Sequence, residues 1–400
     1  MLPLEGITVV ELAAWMSGPA CGAILGDWGA TVIKIEHPVR GDPMRGILSI
    51  GVIPVGAINY LWELDNRNKK SLAIDLKQES GRRAVLRLAE RADVFLTNLQ
   101  VGELGRLGVD YPALSEVNPQ LIYAHITGYG EAGPDSDRPG FDLGAWARSG
   151  FMATLGEPDS VPPLSPVGNF DRVTAMFAAG GIALALFVRS RTGKGQKLSL
   201  SLLGSALWCG GIYAQAVACT GRDIPRLSRR EAGNPLYNSY QTRDGRWLVL
   251  IMLQTDLYWH QFCEALGEPG LEADPRFDSH RNRCARNREL IARLDEVFAR
   301  LTLEEWRQRF GGKDILWEPV QTFAQVAVDP QVEANRYLAP FQHPTFGWGK
   351  LVAAPVTLHE TPGTVRAGGP QLGQHTEEVL LGAGYSWDDI AALKESGVIP

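Results

Sequence analysis

The sequence predicts an open α/β fold around a parallel sheet, with a second, smaller domain. Three observations point there. β-rich runs and helical runs alternate through the first third of the chain. Its 400 residues exceed the usual size of a single domain. A polar, basic, turn-rich stretch at 221–235 separates the apolar centre from a region of different pattern.

The elements follow in order. Residues 7–12 (Ile-Thr-Val-Val-Glu-Leu) are a β-rich run, followed by a loop through Ser17-Gly18-Pro19, a helix from about 20 to 27 and a strand over 31–35. This is the βαβ unit of a parallel sheet. Its turn lacks G-x-G-x-x-G, so a dinucleotide fingerprint is not supported. Strands over 72–76, 93–96 and 121–126, with a helix over 80–91, continue the alternation. In such sheets ligands bind at the strand ends. Residues 198–221 are uncharged and nominally long enough to cross a membrane. Ser199, Ser201, Gly204 and Gln215 make them only moderately apolar, and 198–202 alternates, so they read as a strand followed by a buried helix. Asp244-Gly245 between apolar runs predicts a hairpin of 237–241 with 247–252. Helices over 256–266, 287–300 and 303–310 complete a small α+β domain, whose pattern breaks near Glu318-Pro319. Residues 326–332 lead into a last sheet-and-loop region that ends in a helix over 387–395.

A net charge of −6 and a pI near 5.7 argue against general nucleic-acid binding, so any anion recognition is local. The five cysteines are scattered without metal-ligand spacing; neither a structural zinc nor a disulfide framework is expected, and no metal site is assigned. The N-terminal run lacks a basic region and carries Glu5 early, which reads as a cytoplasmic protein with no membrane segment.

One acid stands out. A loop, Ser165-Pro-Val-Gly-Asn-Phe170, delivers Asp171 to the start of an apolar helix. An acid there caps the helix by accepting its unpaired N–H groups, or serves as a nucleophile kept ionised by the positive end of the helix dipole. Asn66-Arg67-Asn68-Lys69-Lys70-Ser71 clusters cations before a strand, and Arg40 and Arg106 follow others. These are a solvated surface or a phosphate cradle. Asp142, after Pro139-Gly140, is a turn residue or an acid beside the substrate. His125, alone at a strand end, reads as structural.

Taken together, Leu4-Glu-Gly-Ile-Thr-Val-Val-Glu-Leu12, Gly29-Ala-Thr-Val-Ile-Lys-Ile-Glu36, Asn66-Arg-Asn-Lys-Lys-Ser71, Gly128-Tyr-Gly-Glu-Ala-Gly-Pro134, Arg191-Thr-Gly-Lys-Gly-Gln196 and Leu372-Gly-Gln-His-Thr-Glu-Glu-Val-Leu380 resemble the class III CoA-transferase family, which includes formyl-CoA and carnitine CoA-transferases. The resemblance implies a Rossmann-like large domain built from both chain ends (1–221, completed by 326–400), a small α+β domain (222–325), and an interlocked homodimer. It implies an acyl-CoA and a carboxylic acid as substrates, with no metal or redox cofactor. Asp171, ten residues before Gly181-Ile182, then corresponds to the nucleophile that forms an acyl anhydride and an aspartyl-CoA thioester. It places Gly233 and Asn234 in the loop serving the oxyanion, and Arg40, Arg67, Lys69, Asn98 and Arg106 on CoA, whose phosphates suit the guanidinium fork.

Two departures bear on function. Where the formyl transferases carry a Gln before Gly-Pro, this chain has Met16 beside Trp15, which suits a larger or more apolar acyl group. With Phe141 and Asp142 these residues make up the expected substrate pocket. The related racemases need a His thirty residues before the Asp, and Phe141 stands there, so a two-base proton transfer lacks its second base. An acyl-CoA racemase and a non-catalytic CoA-binding protein remain the alternatives.

Overall fold

The computed structural model describes residues 1–343, 345 and 347–400. The chain divides into two compact units, Met1–Met152 with Leu164–Arg222 and Gln331–Pro400, and Ala153–Pro163 with Asp223–Pro330.

The first unit is built on six strands: β1 (Thr8–Leu12), β2 (Thr31–Glu36), β3 (Lys69–Ala73), β4 (Val94–Thr97), β5 (Ile122–Thr127) and β6 (Gln196–Ser201). They pair in parallel in the order β3-β2-β1-β4-β5-β6. This is the doubly wound arrangement, whose strand order reverses between β1 and β4. Alternate residues feed opposite faces, as the two-residue period of a strand requires. Val10, Ile33, Leu72, Phe95 and Tyr123 pack one face, with Val379, Leu380, Ile390 and Leu393 of the C-terminal helices. Val9, Val32, Val94, Leu96 and Ile122 pack the other, under helix α1 (Ser17–Asp27) and the central helix Asn169–Thr192. The central helix offers the sheet a stripe of small residues, Ala175, Ala178, Ala179 and Ala185, at helical spacing. α1 comes closer still, because a Cβ on Gly18 or Gly22 would collide with Ala13 and with the Glu11 carboxylate respectively.

The run at 198–221 departs from expectation. Strand β6 is followed by two helices, Leu202–Cys209 and Gly211–Thr220, bent by 79°. Leu202, Ser205 and Ala206 are buried, but Gly211–Thr220 buries no residue, and Trp208, Ile212 and Tyr213 are exposed. The expected buried helix is thus an exposed apolar one, because none of the described residues covers it.

The second unit has a three-stranded antiparallel sheet. The hairpin Tyr237–Gln241 with Trp247–Ile251 closes on the Asp244-Gly245 turn, Gly245 having φ +74°. Glu318-Pro319, read as a break, is a third strand, Trp317–Pro319. Proline is tolerated there because the strand lies on the sheet edge. Tyr240, Leu250, Phe262, Phe298, Trp306 and Phe310 fill the core, with Tyr240 stacked on Phe298 at 4.9 Å.

Candidate active site

The loops leaving β1 and β4 diverge at the point where strand order reverses, and the candidate site is built there. Three consecutive residues of the β1 loop are pinned from outside. The Lys34 ammonium donates to the Ala13 carbonyl at 2.8 Å. Asn98 holds both sides of the next residue: Ala14 N–H donates to its Oδ1 at 3.0 Å and its Nδ2 donates to the Ala14 carbonyl at 2.7 Å. Trp15 N–H reaches Asp42 Oδ1 at 3.3 Å. Trp15 itself sits at φ 65°, a left-handed conformation that costs an ordinary residue energy and persists only where its surroundings impose it. Its indole meets Phe141 edge-on, centroids 5.9 Å apart.

Beneath this loop lies a buried charge network. Glu11 pairs with Lys34 at 3.0 Å and with Lys69 at 2.8 Å, and Lys34 pairs with Asp42 at 2.8 Å. Lys69 also donates to the Pro19 carbonyl and to Asn66. Arg67 is turned inward onto the Asp27 carboxylate at 2.7 Å. These placements correct the expectation that Arg67 and Lys69 hold CoA. The two cations are only 3% and 4% exposed and neutralise buried acids, while Asn98, whose amide binds the Ala14 backbone, stays in the wall of a cavity that Asp171 also lines. Arg40 and Arg106 are exposed, Arg106 in the last turn of Val101–Leu107.

Asp171 lies in the first turn of the central helix but does not cap it. The cap residue is Gly168, at φ +82°, and the N–H groups of Gly168, Phe170 and Asp171 all donate to the Asp142 carboxylate, at 3.2, 2.6 and 3.2 Å. Asp142, buried in its own helix Asp142–Arg148, is therefore the capping acid. The helix dipole does not keep Asp171 at an ordinary carboxylate pKa. Burial first, then the charges of Asp142 and Asp65, push its proton affinity up to about 7, against a smaller opposing effect of Arg172. Arg172 is itself tied to buried Asp65 at 2.8 Å.

Two cavities meet at Asp171, and both are walled by Trp15 and Phe141. The first, about 230 Å³, has a mixed wall and opens at the strand ends, with Asn98, Gln100, Glu103, Thr127 and Arg138 among apolar residues around it. The second, about 350 Å³, is apolar, with Met16, Met44, Ile47, Leu61 and Val167 in its wall and Asp142 at its edge. All four residues of the expected pocket, Trp15, Met16, Phe141 and Asp142, thus gather round Asp171. Arg138 and Glu103 were not anticipated. The signal for Arg138 was its position directly before the Pro139-Gly140 turn that leads to Phe141.

Gly233 and Asn234 belong to the second unit. The Asn234 side chain closes a local turn there, accepting from Leu236 N–H at 2.9 Å and donating to the Met252 carbonyl at 3.0 Å, and Gly233 is exposed. The Asn234 side-chain amide is thus committed to the entry of the hairpin, so any part of this loop in oxyanion binding falls to its backbone N–H groups. His125 is buried between the Leu99 carbonyl and Glu131, a structural position.

The model of CoA-transferase family III matches residues 4–376. Cinnamoyl-CoA:phenyllactate CoA-transferase of Clostridium sporogenes is 36% identical over 395 residues, covering 98% of this chain and 96% of that protein. (R)-2-hydroxy-4-methylpentanoate CoA-transferase of Clostridioides difficile is 33% identical, covering 99% of each. A CAIB/BAIF family protein from Brucella suis superposes with a TM-score of 0.83 at 29% identity, covering 96% of this chain and 99% of that one.

Proposed function

Because the chain belongs to CoA-transferase family III, we propose that it moves CoA from an acyl-CoA to a carboxylic acid, with Asp171 as the covalent carrier. The observation that carries this reading is a half-buried carboxylate of raised pKa at the junction of a cavity of mixed polarity and an apolar one. Such a group is ionised at slightly alkaline pH yet more basic, hence more nucleophilic, than an ordinary aspartate.

A carboxylate oxygen of Asp171 attacks the thioester carbonyl; the C–S bond breaks and CoA leaves as thiolate, giving a mixed anhydride. The thiolate attacks the Asp171 carbonyl, expelling the donor acid as carboxylate and leaving Asp171 as a CoA thioester. The acceptor carboxylate then attacks that thioester, and the thiolate released takes the new acyl group, restoring the Asp171 carboxylate. No proton is gained or lost over the cycle. The first cavity, with its mixed wall, suits the thioester arm of CoA, and the aromatic surface of Trp15 and Phe141 offers the acyl group a face to pack on. Exposed Arg40 and Arg106, with Arg138 at the cavity, are the cations offered to the phosphates. Racemisation is disfavoured because the ionisable groups lining the two cavities, among the described residues, are Glu103, Arg138, Asp142 and Asp171, with Phe141 where a second base is required.

Hydroxylamine added with an acyl-CoA traps an activated carboxyl as a hydroxamate. Intact-mass and peptide analysis is expected to find the adduct on Asp171 and to lose it in Asp171→Ala. A protein that binds CoA but yields no adduct with any acyl-CoA is a binding protein, and the proposal fails.

The same reading includes a second copy of the chain. Leu184 and Phe187 of the central helix and Trp208, Ile212 and Tyr213 beyond it are all exposed, and Trp208 shares an apolar cavity with Phe177 of the same helix, apolar exposure of the kind that a second copy would cover. Sedimentation is expected to show a dimer, with Trp208→Glu and Ile212→Glu each shifting it to monomer; a native monomer at micromolar concentration refutes this.

A further inference from the structure

The wall of the apolar cavity carries information about the acid. Among the described residues that line it, none is Lys, Arg or His. Its only charged members are two carboxylates, Asp142 and Asp171, and its other polar side chains are Ser49 and Ser165. The nearby cations are committed elsewhere. Arg45 is bound by Glu36 at 2.7 Å and lies flat over Trp62, 3.6 Å from its ring centre, and Arg172 is held by Asp65. An acyl chain ending in a second carboxylate would lose its water here and meet only negative charge, whereas an apolar chain gains from every contact. The edge-on Trp15–Phe141 pair leaves aromatic surface facing the pocket, and that pair is fixed, because Asn98 holds both sides of Ala14 and Asp42 holds the Trp15 N–H, keeping Trp15 in its strained conformation.

We infer that the acids this site exchanges are monocarboxylates with an apolar side chain, aromatic or branched, and that dicarboxylates such as succinate are rejected. The inference rests on the reading of Asp171 as carrier, and it makes Met16 and the Trp15–Phe141 wall the determinants of specificity.

The test uses the full-length protein and two thioesters, 3-phenylpropionyl-CoA and succinyl-CoA, each followed by exchange of isotope between the thioester and its own free acid. The phenylpropionyl pair is expected to exchange with kcat/KM ~100-fold or more above the succinyl pair, the scale of an unpaired buried charge. Met16→Arg, which supplies the missing cation, is expected to move that ratio at least ~10-fold toward succinate, the scale of one charge-assisted hydrogen bond. Equal or faster exchange of succinate by the native protein overturns the substrate class while leaving the carrier reading intact, provided hydroxylamine still marks Asp171. Exchange of neither pair, with no hydroxamate from either thioester, overturns both.

Discussion

Replacing Asp171 by Asn is expected to lower CoA exchange on the order of 10⁴-fold or more, the usual scale for removing a covalent nucleophile, and at the same time to stabilise the protein above pH 7. The first effect follows from chemistry, since an amide does not displace a thiolate. The second follows from the site. Asp171 has a folded-state pKa of about 7, above its ordinary 3.8. The folded protein therefore holds this proton more tightly than the unfolded chain, and the group's contribution to stability declines as pH rises from about 4 through about 7. Above that window the native state carries a charge that burial, Asp142 and Asp65 all oppose. Asn removes it, for a gain on the order of 2 kcal/mol at pH 8 and little gain at pH 4. Urea titrations at the two pH values measure the difference. In the native protein, kcat/KM for exchange should fall about tenfold per pH unit below pH 7. An Asn variant no more stable at pH 8 than at pH 4, relative to native, would mean that the acid is not strained by its surroundings.

The same arrangement explains how much of the site was legible. The strands of the large unit announced themselves because parallel strands buried on both faces are continuous β-branched runs, and β1, β2 and β5 lie where those runs do. Asp171 and its pocket were found through resemblance joined to the Met16 and Phe141 departures. The direction of a cation was not legible. Arg67 and Lys69 read as a phosphate cradle because Lys and Arg are usually exposed, whereas here they answer acids brought from elsewhere in the chain, Asp27 and Glu11. A signal did exist. Glu11 within Val-Val-Glu-Leu and Lys34 within Val-Ile-Lys-Ile are charges in the middle of buried strands, which must find partners. Pairing them would have brought the β1 and β2 strands together, with Lys69 left to a neighbouring one. The capping by Asp142 was hidden for a related reason. It reaches its helix across 29 residues of chain, counted from Asp142 to Asp171, and local sequence names only the nearer acid.

Glu11→Ala is expected to cost about 3–5 kcal/mol of stability, the scale of breaking a buried ion pair from one side. Glu11 is fully buried between Lys34 and Lys69, so its loss leaves two ammonium groups with less countercharge in a dry interior. A second variant separates stability from function. Replacing the three together, Glu11→Leu with Lys34→Met and Lys69→Met, removes the charges of that triad and should recover part of the loss, because apolar side chains of similar volume substitute well for buried ions; the recovery is partial because buried Asp42 loses its Lys34 partner. It should not recover exchange activity. Lys34 also holds the Ala13 carbonyl and the Asp42 carboxylate, and Asp42 in turn holds the Trp15 N–H, so the triple variant folds with the Trp15 loop unpinned. A drop in kcat/KM of about 10–100-fold in a variant more stable than Glu11→Ala is the expected signature of a misplaced wall. Glu11→Ala costing under about 1 kcal/mol, or a triple variant with full activity, would show that the network does not position the site. The burial of Lys34 and Lys69 against Glu11 is the reason for reading these charges as scaffold: a phosphate-binding lysine reaches solvent, whereas these two face an acid inside the fold.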